Sequence, residues 1–359
     1  MKKKNKATYL LFLMPFVYLL TAWLVIWLIN ANGVYPSGSD TMYHVYRGDY
    51  VYNSIKSGNL FPLYDPMWYN GVELLRYWSP LPAYVMALCQ FIAGGSQFGA
   101  YLVFVGVVCF FGACVWPFIG RGFNRPFLGA FIGLLWFFMP NNLYAVFIEG
   151  NLARSLSMIF LPVFIYAVYK YLENQRLRYV LLMVFTFVLI ALCHLGYAGM
   201  IAIAVILYGI VYMFQGGKKK AVLDVIISMI IGFMLLGIWM VASLRGGITS
   251  LDNSENMANF FQSIWTSINP VGRLTGKSES FYYGFSAVFV IISGILFGYK
   301  KSRTGFITGL IILLLTTDTA YIVLKHLPGS QYLWMLRFIS IALCMILMSF
   351  LMWDRLKKP

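Results

Sequence analysis

Pro80–Gly94 reads PLPAYVMALCQFIAG. The stretch is apolar, but its fifteen residues fall short of the twenty or so that carry a helix across the hydrocarbon core of a bilayer. Whether it crosses decides the side on which every later loop lies. If it crosses, the basic stretches RGFNR, ENQRLR, GGKKK and YKKSR all lie outside. If it lies along the surface, they all lie inside, as the positive-inside rule requires. The second choice is the consistent one, and the stretch reads as a helix lying on the outer face, over about 79–95.

The composition around it fits a chain that lives in a membrane. Of 359 residues, 60% are hydrophobic and only 11% are charged, against about a quarter charged in soluble domains. Spans are expected at 7–29, 98–120, 126–143, 154–171, 179–194, 196–215, 221–243, 282–299, 304–323 and 334–353. The expected fold is therefore an all-α polytopic membrane protein of about ten transmembrane helices, a single domain over 1–359. The first span is too long for a signal-peptide core and reads as a retained helix. MKKKNK at the start and DRLKKP at the end place both termini in the cytoplasm, with the plasma membrane as the location.

Net charge is +15, and its placement says why. On this topology the inner segments hold eighteen Lys and Arg against three Asp and Glu, whereas the outer segments hold nine of each. The excess matches anionic inner-leaflet lipid. No nucleic-acid motif accompanies it, so no nucleic-acid partner is expected. The five cysteines all fall in apolar segments, which argues against a disulfide framework and a zinc site. No G-x-G-x-x-G after a strand and no P-loop is present, so no nucleotide-sugar domain is expected. The sequence names no cofactor and indicates no metal, and a divalent ion stays open.

The first outer loop, 30–97, is the largest polar region. It opens with SGSDTMYHVYRGDYVYNSIKSGNLFP, Ser37–Pro62, which predicts a second surface helix over about 39–58. Ser37 or Ser39 can cap it, and Gly58 with Pro62 ends it. Asp40, Tyr43, His44 and Arg47 are spaced i, i+3, i+4, i+7 and share one face. Asp49 falls near the opposite face. Asp, His and Arg together on a helix at the mouth of a bundle suit acid–base chemistry; an acid favoured by the helix dipole, with solvated neighbours, is the plainer alternative. The aromatic stretch that follows, with Tyr64, Trp68, Tyr69, Tyr77 and Trp78, suits an interfacial belt or a sugar or headgroup cleft.

These stretches, with YWSPLPAYVMAL leading into the second span, resemble the type C (GT-C) glycosyltransferase superfamily, whose members take sugars from polyprenyl phosphates. More narrowly, the chain is similar to bacterial membrane proteins labelled 6-pyruvoyl-tetrahydropterin synthase-related, a label that implies no pterin chemistry here. IEGNLARSLSMIFLPVFIYAV with Glu149 and Arg154, LIALCHLGYAG with His194, and GSQYLWMLRFI with Gln331 and Arg337 carry the narrower likeness, which runs from Lys2 to about Met348. Leu333 stands where those proteins have a proline. Many of them continue past the point corresponding to DRLKKP, an expectation of reduced acceptor recognition or of a partner membrane protein.

The resemblance implies an inverting transfer of a sugar from a polyprenyl-phosphate donor to a cell-envelope acceptor. Asp40 matches the superfamily's catalytic acid and would take the acceptor's proton, its place at the helix start favouring the ionised form. Arg154 and Arg337, at outer ends of spans, would neutralise the lipid phosphate. The plainer alternatives are an ion pair with Glu149 for Arg154 and snorkelling for Arg337. His194 reads as an interhelical hydrogen bond or a substrate contact. Tyr43, His44, Arg47, Asp49 and Glu149 complete the expected substrate-binding set. Two other classes remain: a transporter or flippase of lipid-linked precursors, expected to carry charged or broken helices near the midplane, and a catalytically silent interaction protein.

Overall fold

The computed structural model describes residues 2–68, 70–245, 303–327 and 334–352, with positions 288, 291, 292, 294, 295 and 330. The expected span 282–299, and Gln331 and Leu333, lie outside the described residues. Among the described residues the chain is predominantly helical, with an isolated antiparallel bridge between Asp65 and Val72.

Among the described residues, twelve helices precede residue 246: α1 (Lys2–Asn32), α2 (Thr41–Lys56), α3 (Leu74–Tyr77), α4 (Leu81–Ile92), α5 (Gln97–Gly122), α6 (Pro126–Phe138), α7 (Pro140–Phe147), α8 (Leu152–Asn174), α9 (Leu177–Cys193), α10 (Leu195–Phe214), α11 (Lys219–Leu235) and α12 (Gly237–Arg245). The elements described beyond it are α13 (Arg303–Leu315), α14 (Asp318–Leu324), a 3₁₀ turn at Met335–Arg337 and α15 (Phe338–Phe350). α1, α5, α8 and α10 are long and apolar enough to cross a membrane, and α6 with α7 makes a fifth span if the bent pair counts as one. α4, α9, α13 and the segment Met335–Phe350 are apolar but shorter.

α4 is the helix of the deciding stretch. Its twelve residues reach about 18 Å at 1.5 Å per residue, well short of a bilayer core. It packs on α2, α5 and α9, burying Ala83, Met86, Ala87 and Cys89.

Three expected spans are interrupted, each for a local reason. α6 stops at Met139 because Pro140 has no N–H and disfavours helix in the residue before it, and α7 leaves at 45°. The expected span over 221–243 breaks between α11 and α12 at Leu236–Gly237, where a glycine weakens the helix. The expected span over 304–323 breaks at Thr316–Thr317, whose hydroxyls donate back to the carbonyls of Leu313 and Leu314 and compete with the helical ladder.

Burial separates the centre from the rim. Every residue from Phe338 to Ser349 is buried, and 83% of the apolar window of α8 is buried against 17% for α1. A helix apolar all round belongs in a core or in lipid; α15 takes the first place. α1 shows Phe12, Phe16, Trp23 and Trp27 on its outside and packs on α5 and α6.

Candidate functional site

α2 begins where the sequence places it, but not by the expected cap. Asp40 occupies the N-cap position and makes no side-chain capping bond. Ser39 does not cap either: its Oγ donates to the Glu149 carbonyl oxygen at 2.8 Å. Two backbone bonds add to this, from Ser39 N to Ile148 O at 3.1 Å and from Asp40 N to Glu149 O at 3.0 Å. The start of α2 is therefore fastened to the turn between α7 and α8. At its other end α2 stops as expected, with Gly58 at φ +88°, the left-handed geometry that glycine adopts freely.

Two glycines make that fastening fit. Gly150 has φ +63°, and a Cβ there would lie 2.6 Å from Thr41 N and 3.0 Å from the Gly38 carbonyl carbon. Gly150→Ala is accordingly expected to destabilise the fold by about 1–3 kcal/mol, read as a lower melting temperature in detergent. An unchanged melt would show that the two segments separate without cost.

Behind this junction lies a charge cluster. Glu149 Oε2 accepts from Arg154 Nη2, and Glu149 Oε1 accepts from Arg337 at 2.8 Å from Nη2 and 3.0 Å from Nε. Asn151 Nδ2 adds a bond of 3.2 Å to Glu149 Oε1, while Asn151 Oδ1 caps α8 by accepting from Arg154 N at 3.0 Å. Burial alone would raise the proton affinity of Glu149, but Arg154 and then Arg337 outweigh it and hold the carboxyl below its ordinary range. Arg154 is fully buried, and its Nε and Nη1 have no partner among the described residues.

In front of the cluster is a cavity of about 470 Å³. Asp40, His44, Arg47, Asn151, His194 and Arg337 contribute its polar wall, and Tyr77, Trp78, Trp239 and Trp334 its aromatic wall. The guanidinium of Arg47 lies over Trp78, 4.6 Å from the ring centre, and that of Arg337 over Trp334 at the same distance. The break between α9 and α10 brings in His194, whose Nδ1 caps α10 by accepting from Tyr197 N at 3.1 Å. Its Nε2 lies 3.2 Å from Arg337 Nη1. Ser79 closes the same break: its Oγ donates to Ala191 O at 2.9 Å and accepts from Leu195 N at 3.1 Å.

The electrostatics differ from expectation at Asp40. Burial, then the Glu149 charge, raises its pKa, and Arg337 and Arg47 offset only part of this; the helix start does not govern its ionisation. Burial and the Arg47 charge push His44 well below the ordinary imidazole value, so its ring is neutral. Burial lowers Arg47 to about 10, which leaves it cationic at neutral pH. Among the described residues, three guanidiniums (Arg47, Arg154, Arg337) face two carboxylates (Asp40, Glu149) in and behind the cavity wall, an excess of one positive charge.

The structure thus brings Asp40, His44, Arg47, His194 and Arg337 to one cavity and puts Glu149 and Arg154 behind its wall. Tyr43 turns outward and stacks on Trp68 at 5.6 Å. Asp49, on the other side of α2, accepts from Gln90 at 2.6 Å and from Asn53 at 3.1 Å, which ties α2 to α4. Neither Tyr43 nor Asp49 lines the cavity. Trp239, Trp334 and Asn151 do line it, although the sequence did not single them out. The tryptophans sit at ends of apolar stretches, as belt residues do, and nothing local distinguishes them. No group of three or more His, Cys, Asp and Glu able to hold a metal ion occurs among the described residues.

A family model described as 6-pyruvoyl-tetrahydropterin synthase related domain; membrane protein matches residues 75–359. That is most of the chain, and the chain belongs to this family of membrane proteins. The matched region begins at Leu75, so α1 and α2, with Asp40, His44 and Arg47, lie before it. No curated protein and no solved structure matches the chain.

Proposed function

We propose that this member of the 6-pyruvoyl-tetrahydropterin synthase-related membrane family is a glycosyltransferase. It would take a sugar from a polyprenyl-phosphate donor and give it to a cell-envelope acceptor at the outer face of the plasma membrane. The observation that carries the reading is one cavity in which a carboxyl of raised proton affinity, Asp40, shares the wall with Arg337 and three tryptophans. A base for a hydroxyl, a cation for a phosphate and flat rings for a sugar are the groups that such a transfer needs.

In the proposed reaction the acceptor oxygen attacks the anomeric carbon and its proton passes to Asp40. The bond from the anomeric carbon to the phosphate oxygen breaks, and the lipid phosphate leaves as an anion towards Arg337. The imidazole of His44, neutral and in the cavity wall, offers one donor and one acceptor to a sugar hydroxyl. Arg47 lies between Asp40 and the indoles of Trp78 and Trp68 and holds the carboxylate's surroundings cationic. Purified protein in lipid vesicles, given a polyprenyl-phosphate sugar, tests this by sugar release. Absence of release across donors, with envelope glycans unchanged in cells lacking the gene, would remove the reading.

The α6–α7 bend is the feature that would suit a lipid translocator, since transporters build sites at broken helices. No residue of α6 or α7 lines the cavity, and the interrupted span α11–α12 brings only the ring of Trp239 to it; the transferase reading rests on Asp40 and Arg337 sharing that wall.

The proposed topology has about ten spans, both termini inside, and α2 and α4 on the outer face. A cysteine replacing Ser57, which is exposed just past α2, is expected to react with an impermeant thiol reagent in intact cells. One replacing Lys219, at the start of α11, is expected to stay unlabelled until the membrane is opened. Labelling at 219 from outside would invert the arrangement.

A further inference from the structure

The imidazole of His194 has donors against both of its nitrogens. Tyr197 N donates to Nδ1 at 3.1 Å, and Arg337 Nη1 lies 3.2 Å from Nε2. A neutral imidazole has one acceptor nitrogen and one N–H, so it can satisfy only one of these donors. Tyr197 is fully buried, and its amide belongs to the first turn of α10, where an N–H needs a capping acceptor. Arg337 is already held by Glu149 through Nε and Nη2, which leaves Nη1 against His194, and both residues line the cavity. The capping bond therefore takes Nδ1, and the proton sits on Nε2. That turns the Nε2–H of His194 against the Nη1–H of Arg337 at a nitrogen separation of 3.2 Å, a donor–donor contact to which no side chain among the described residues supplies an acceptor.

We infer that His194 Nε2–H and Arg337 Nη1–H form a two-point clamp for a phosphate-type oxyanion entering the 470 Å³ cavity, with His194 a ligand-binding residue rather than an interhelical bond. Water can serve the pair at rest. An oxyanion serves it better, because the surrounding guanidiniums outnumber the carboxylates by one and charge-assisted bonds are the stronger kind. The clamp deepens the transferase reading and rests on it for the source of the oxyanion. The Glu149 carboxylate keeps Arg337 in place from behind, so the guanidinium presents only its Nη1 edge to the ligand.

Two measurements test this on the full-length protein in detergent. In ¹⁵N-histidine spectra, with signals assigned by single replacement of His44 and His326, His194 is expected to show the Nε2–H tautomer. A proton on Nδ1 would overturn the clamp, and this measurement needs no variant at His194. In binding assays the probes are inorganic phosphate and a short isoprenyl monophosphate. His194→Asn keeps a capping oxygen, since Asn is a good N-cap residue, but cannot reach with a donor. It is expected to melt like the parent and to weaken binding by about tenfold, whereas His326→Asn, at an exposed position, leaves binding unchanged. Preference for the isoprenyl probe supports a lipid-borne phosphate, and equal binding supports the free anion. Parent-like binding by His194→Asn overturns the proposal. Phosphate binding that depends on His194 in a protein that releases no sugar from any donor would keep the clamp and remove the transferase reading.

Discussion

Asp40→Asn is expected to express, insert and melt like the parent, yet to lose sugar transfer by about a hundredfold or more, the usual scale for a missing general base. The fold should be indifferent to the change. The Asp40 side chain makes no capping bond, and the contacts that fasten the start of α2 run through Asp40 N and Ser39 to the Ile148–Glu149 backbone. Asn keeps the size and removes the ability to take a proton. Because burial and Glu149 raise the pKa of Asp40, the basic form is lost at a higher pH than for an ordinary carboxylate near 3.9. Transfer by the parent should be complete at neutral pH and fall as the pH is lowered, beginning above the ordinary carboxylate range. Asp49→Asn, which loosens the tie from α2 to α4, should be milder. Full activity in Asp40→Asn, or its abolition by Asp49→Asn alone, would end the assignment.

The largest loss of stability is expected from Glu149→Gln. Its carboxylate is the shared partner of Arg154 and Arg337, whose side chains are 0% and 12% exposed. Removing one member of a buried ionic group leaves uncompensated charge and costs about 3–5 kcal/mol. Here two guanidiniums lose their partner at once, and Arg154 already has two nitrogens without one. Poor expression and a much lower melting temperature in detergent should follow, with Glu149→Asp intermediate. A parent-like melt for Glu149→Gln would show that the two arginines find other acceptors.

The helices, their apolar character and the α2 face were legible in the chain because they depend on residues three and four apart. Asp40, His44 and Arg47 meet at the cavity as that spacing implies. Tyr43 shares the spacing but turns to Trp68, since a neighbouring ring offers a large apolar face that the helix pattern does not reveal. The Arg154 pair with Glu149 was readable from five residues' separation. Arg337 reaching the same carboxylate across 188 residues was not, because no local pattern encodes which span ends meet. Pro140 was a visible break signal, yet the apolar run on either side suggested one straight span. The bend at α6–α7 shows the proline deciding the backbone and the apolar run deciding only what surrounds it.

Ser79 links the first loop to the elbow at His194 through one hydroxyl, which satisfies the Ala191 carbonyl and the Leu195 amide together. Nothing else among the described residues bonds that amide. Its exchange with deuterated solvent is therefore governed by how often the loop lifts from the bundle, and not by fraying of α10, whose own first-turn cap is the His194 to Tyr197 bond. Leu195 N–H protection, compared with that of Tyr197 N–H, becomes a gauge of loop detachment in a membrane-embedded protein, and Ser79→Ala would reset that gauge to the value of an unlatched loop.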